Sequence, residues 1–125
     1  MKIVCIAMLA LLSIAFFACK KNKTAAPDVK NRFVGNWAGA QQYTGISTPY
    51  KFSLAINSDN TLVNIDSAFA NQSYPGTYTY TADSLFINYA NGTKWRMRFL
   101  ADYTSCTGSM AGYSGATATV SMTKK

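Results

Sequence analysis

From Trp37 to the C-terminus the chain alternates apolar and polar residues at period two and breaks at turn residues every eight to twelve positions. That rhythm leaves room for little besides antiparallel β-structure. Residues 94–101 state it most sharply: Trp95, Met97, Phe99 and Ala101 fall on one face, and Lys94, Arg96 and Arg98 on the other. The pattern predicts eight strands, over 36–43, 50–56, 61–66, 76–81, 85–89, 93–103, 106–112 and 116–123. Connections fall at Ser58-Asp59-Asn60, Ala82-Asp83-Ser84, Asn91-Gly92 and Tyr113-Ser114-Gly115. Asn91-Gly92 reads as a two-residue hairpin with positive φ at both central positions.

Eight short strands with no helix long enough to cover them call for closure, because a closed sheet has no free edge to pair with other chains. The expectation is an all-β, eight-stranded antiparallel up-and-down barrel over 32–125, with a β-sandwich as the alternative. Its dry faces gather Phe52, Tyr78, Tyr80, Tyr89, Trp95, Met97 and Phe99, which become the candidate interior and the candidate ligand-binding residues. Ahead of the first strand, Asp28 can cap a short helical turn whose Val29 and Phe33 share a face and cover one end of the sheet.

Composition removes several function classes. The chain has no His, and all five acidic residues are Asp, so the commonest general base and most ordinary metal ligands are missing. Of the three cysteines, Cys106 is the one expected to remain in the mature domain without a lipid, and it has no thiol partner for an intramolecular disulfide. It reads as a small buried hydrophobe rather than a nucleophile. The expectation is a non-enzyme without metal or cofactor. From Arg32 onward seven bases face four acids, a mild excess that does not make a nucleic-acid-binding domain.

The N-terminal segment supplies an address. Met1 and Lys2, an apolar run over 3–17 and then Ala18 and Cys19 form a secretory signal, too short to remain as a membrane span. Phe16-Phe17-Ala18-Cys19 resembles the lipobox of bacterial lipoproteins. The resemblance implies lipid attachment at Cys19 and removal of residues 1–18. Cleavage after Ala15 without lipidation is the alternative. Residues 19–31 would be the acylated cysteine and its tether, since a stretch so poor in large apolar groups cannot bury enough surface to fold. Several acyl chains on one cysteine make a durable anchor. Lys20 directly after the cysteine implies, by the sorting rules of such lipoproteins, the outer membrane of the cell envelope. The periplasmic face is expected and the cell surface is the alternative.

Gly35-Asn36-Trp37 at the start of the first strand resembles the G-x-W motif that opens the lipocalin barrel. Gly76-Thr77-Tyr78, Asp83-Ser84-Leu85, Thr107-Gly108-Ser109-Met110 and the Thr-rich last strand ending in Lys124-Lys125 are similar to small bacterial lipocalin-like lipoproteins. The resemblance implies that Gly35 and Trp37 close one barrel end, with Lys124 lying over the indole.

Two functions follow as expectations. In the first, the barrel is a binding module for a small apolar or amphipathic ligand, against the alternative that the aromatic residues simply fill the core. In the second, it meets an envelope protein through its outer face and loops. The candidates there are Lys94, Arg96 and Arg98 on a strand, and Phe69 and Tyr74 in a loop over 67–75. Asp66-Ser67 and Asp83-Ser84 also fit an acidic-then-hydroxyl pattern for O-glycosylation, although Asp-Ser is common in turns.

Overall fold

The computed structural model describes residues 28–125. Cys19, the signal segment and most of the tether lie outside the described residues. The described chain opens with α1 (Val29–Phe33), followed by β1 (Gly35–Tyr43), β2 (Tyr50–Ile56), β3 (Thr61–Asp66), β4 (Gln72–Tyr80), β5 (Ser84–Tyr89), β6 (Lys94–Phe99), β7 (Ser105–Ala111) and β8 (Thr117–Lys124). Each strand pairs antiparallel with the next, and β1 closes onto β8 with Trp37 opposite Lys124 and Tyr43 opposite Ala118. The result is one closed up-and-down barrel, which excludes the sandwich.

Four sequence expectations are corrected. β4 begins at Gln72 instead of residue 76 and carries Pro75 within it, opposite Val63. The proline is tolerated because β5 reaches only to Tyr89 opposite Gly76, so Gln72 to Pro75 pair with β3 alone and form a locally edge-like stretch. β6 stops at Phe99, and the Tyr103 amide bonds back to the Leu100 carbonyl at 3.0 Å with Tyr103 at φ 56°, which turns Ala101 out to solvent. At Asn91-Gly92 only Gly92 has positive φ, at 86°. Its amide bonds to the Tyr89 carbonyl, giving a three-residue connection in place of the two-residue one. Tyr80, placed inside by parity, is 38% exposed at the barrel's rim. The remaining strand ends shift by one residue at most.

α1 closes one end. Asp28 accepts a hydrogen bond from the Lys30 amide and starts the turn; Phe33 leaves it fully buried, 4.5 Å from the Phe99 ring and 5.6 Å from the Tyr80 ring. Trp37 lies beneath, its Nε1 donating to the Phe33 carbonyl at 2.9 Å. Lys124 Nζ sits 5.7 Å from the indole and donates to the Arg32 carbonyl at 3.0 Å. The cation thus covers the ring and ties α1 to the last strand.

The middle of the barrel is filled. Met97, Leu85 and Tyr78 are buried, and two inward-facing glycines make room for large neighbours. A Cβ at Gly39 would meet the Phe52 ring at 2.5 Å, and one at Gly108 would meet Met97 Sδ at 2.8 Å. Phe52 and Met97 therefore occupy volume that their partners' missing side chains leave free, and close packing extends up to Trp95.

Candidate functional site

At the end opposite α1 the packing stops. Three connections, β3–β4, β5–β6 and β7–β8, contribute to a cup of about 170 Å3. Trp95 and Tyr89 form its base, while Tyr43, Tyr74 and Phe69 contribute to its wall. Phe52 supports Trp95 from below, edge to face with ring centroids 5.0 Å apart, and Tyr89 meets the same indole at 5.6 Å.

Three polar side chains are buried in the described chain, and all of them line this cup: Gln41, Asn64 and Asp66. β3 supplies two. Leu62, Asn64 and Asp66 alternate inward while Val63 and Ile65 face out, Ile65 being 38% exposed. This is the reverse of what hydrophobicity would choose, since a shift of one residue would bury Val63 and Ile65 instead. Ile56 opposite Leu62 fixes the observed register.

Asp66 Oδ1 accepts from the Ala68 amide at 2.9 Å, and Oδ2 accepts a long bond from Gln41 Nε2 at 3.4 Å. No Lys or Arg lines the cup. Asn64 Oδ1 and the Tyr89 hydroxyl are both buried and make no hydrogen bond of good geometry among the described residues, although the Asn64 side chain lies close enough to the phenol to act on it. Burial pushes the Tyr89 phenol well above its ordinary value, and the nearby Asn64 side chain offsets only part of that rise. Tyr43 is also pushed up, first by burial and then by the charge of Asp66. Two orphaned polar atoms in one recess are costly in a protein that needs nothing there.

The residues anticipated from sequence divide between three places. Tyr89 and Trp95 reach the cup; Phe52 lies directly beneath it, while Tyr78, Met97 and Phe99 belong to the filled interior and closed end. Gly35 and Trp37 stand at the closed end beside Lys124. Tyr74, assigned by sequence to a loop, is in β4 and lines the cup, with its hydroxyl donating to Gln72 Oε1 at 2.9 Å. Phe69 stacks on Tyr50 at the rim, with centroids 5.7 Å apart, and remains 51% exposed. The structure brings Phe69 and Tyr74 together with Tyr89 and Trp95, and leaves Lys94, Arg96 and Arg98 on the outer surface.

Two of those three cations are engaged by neighbours. Arg98 Nε lies 3.3 Å from Asp83 Oδ2, and Arg96 sits over the Phe86 ring at 5.5 Å. The furrow that Lys94 and Arg96 border, with Phe86, Ser109 and Thr119, is open to solvent and contains no buried polar group. Cys106 is buried away from the cup, and desolvation pushes its thiol up to about 12, which keeps it protonated and unreactive. Gln41, Asn64 and Asp66 were not anticipated from the sequence. The signal that marks two of them is polar residues sharing the Leu62 face of β3.

No protein-family model and no curated protein matches this chain. Solved structures do. One, a redesigned β-barrel, superposes with a TM-score of 0.55 at 15% identity, covering 78% of this chain and 95% of that one. At that identity the likeness concerns the fold alone. Both are barrels, and the cup belongs to this chain's own side chains.

Proposed function

We propose that this chain is a non-catalytic binding module of the cell envelope: a lipocalin-like lipoprotein held to the outer membrane by an acylated Cys19, with one small amphipathic molecule seated in the cup. The observation that carries the reading is the pair of unpartnered buried atoms, Asn64 Oδ1 and the Tyr89 hydroxyl, above an aromatic floor. A ligand with a polar group would satisfy them and cover Trp95. The size of the cup narrows the ligand class. At about 170 Å3 it falls short of the roughly 300 Å3 or more typical of drug-sized ligands, and suits one ring or a short chain rather than a whole fatty acid.

Contact with an envelope protein is the second reading. It is favoured by Phe69 and by Tyr113, which is 75% exposed, both at the same rim. The basic stripe adds little, because Arg96 and Arg98 are already occupied. Native mass spectrometry of the full chain extracted from its own membrane separates the readings. An adduct retained by the wild type and lost in Trp95→Ala is the expected result. Bare protein throughout, with an envelope protein co-purifying, overturns the first reading in favour of the second.

A further inference from the structure

We infer that the cup selects a small organic cation, a primary ammonium borne on an apolar or aromatic group, with Asp66 as its counter-charge. This deepens the binding-module reading and rests on it. Asp66 is only 4% exposed, and its partners among the described residues are one backbone amide and one distant amide nitrogen of Gln41. Buried carboxylates are ordinarily paired with a cation, because desolvation is otherwise uncompensated. The one ion pair among the described residues, Arg98 with Asp83, is on the outside of the barrel. The cup thus has a negative group and no positive one.

The remaining groups suit the same ligand. An ammonium has three donors and no acceptor. Asp66, Asn64 and Tyr89 all line the recess and carry acceptor oxygens, and Asn64 Oδ1 and the Tyr89 oxygen, which make no hydrogen bond of good geometry, become available to an ammonium once their side chains turn toward the cup. Tyr43, Tyr74 and Trp95 present aromatic surfaces, to which a cation is attracted through the ring quadrupole. A metal ion fits less well. Calcium takes about six to eight oxygen ligands, several of them carboxylates, whereas the cup holds one carboxylate, and no cluster of three metal-ligating residues occurs among the described residues. An anion would meet Asp66 with no base to offset it.

The test uses the detergent-solubilised full chain, labelled with 15N, and three probes of one shape: benzylamine, benzyl alcohol and benzoate. The Trp95 indole resonance reports the cup, and the Trp37 indole, hydrogen-bonded at the far end, is the internal control. Benzylamine is expected to shift Trp95 and not Trp37, and to bind about tenfold or more tighter than benzyl alcohol, with benzoate weakest. Asp66→Asn should bring benzylamine down to about the level of benzyl alcohol. If benzyl alcohol binds wild type as well as benzylamine does, the cation inference falls while the cup stands. If none of the three moves Trp95, both fall. The wild-type comparison decides the matter even where Asp66→Asn does not fold.

Discussion

At the closed end of the barrel Trp37 Nε1, the Tyr78 hydroxyl and the Tyr103 hydroxyl each donate to a backbone carbonyl, of Phe33, Asn57 and Ala82 respectively. At the mouth, Tyr89 and Asn64 are buried, more deeply than the half-buried Tyr103, yet two of their polar atoms make no hydrogen bond of good geometry. The same sheet, with the same residue types, therefore satisfies its polar groups at one end and leaves them open at the other. At the α1 end buried apolar rings and paired polar groups close the barrel, whereas the mouth keeps a polar recess. Natural sequences depart from locally consistent choices mainly at functional sites.

The comparison breaks most plainly if the closed end can be damaged without consequence. Phe33→Ala removes a fully buried ring in contact with Phe99, Tyr80 and Tyr103, and should cost about 3–5 kcal/mol. Thermal melts should show it as a loss of at least about 12 °C, at roughly 4 °C or more per kcal/mol for a domain of this size. A melt within a few degrees of wild type would mean that α1 is not the stabilising plug described here.

The next largest effect concerns the filled middle. In Gly108→Ala the new Cβ would stand 2.0 Å from the Arg96 carbonyl oxygen and 2.8 Å from Met97 Cα, both backbone atoms that cannot swing aside. Urea denaturation should show a loss of about 1–3 kcal/mol. If the midpoint is unchanged, the interior is looser than the packing around Met97 implies.

Tyr89→Phe sharpens the contrast at the mouth. Removing a buried hydroxyl that has no partner should leave stability unchanged or raise it by up to about 1 kcal/mol, while weakening ligand binding. The pH dependence has a definite sign. Burial raises the Tyr89 phenol in the folded state above its unfolded value near 10, so the folded chain holds that proton where the unfolded chain has lost it. The associated stability is complete below pH 10 and declines as pH rises beyond it. Wild type should lose more stability than Tyr89→Phe between pH 10 and 12 in paired urea titrations. Equal losses would place the hydroxyl in solvent, contrary to its burial.

Much of this architecture was legible in the residues. Alternation through Trp95, Met97 and Phe99 located β6 and its buried face, and turn residues separated eight strands whose ends the fold moved little, Pro75 and the early stop at Phe99 apart. Those two exceptions have local causes, a strand stretch with one neighbour and a turn at Tyr103, and neither depends on hydrophobicity. The site was half legible. Tyr89 and Trp95 follow from parity, whereas Tyr74 was hidden behind a proline, and Asn64 and Asp66 behind Val63 and Ile65, which look like the natural buried pair.

The chain by itself determined the number of strands, their antiparallel pairing and the apolar residues available for a core, because a period of two and turn chemistry act over a few residues at a time. Closure was expected from the residues, with a sandwich as the alternative; only the tertiary structure decided between the two, and decided that Gly39 and Gly108 leave space for Phe52 and Met97 and that β3 turns its polar side inward. Those outcomes depend on register between strands distant in sequence. Closing the ring fixes every register at once, and with it which side of each strand can reach the mouth.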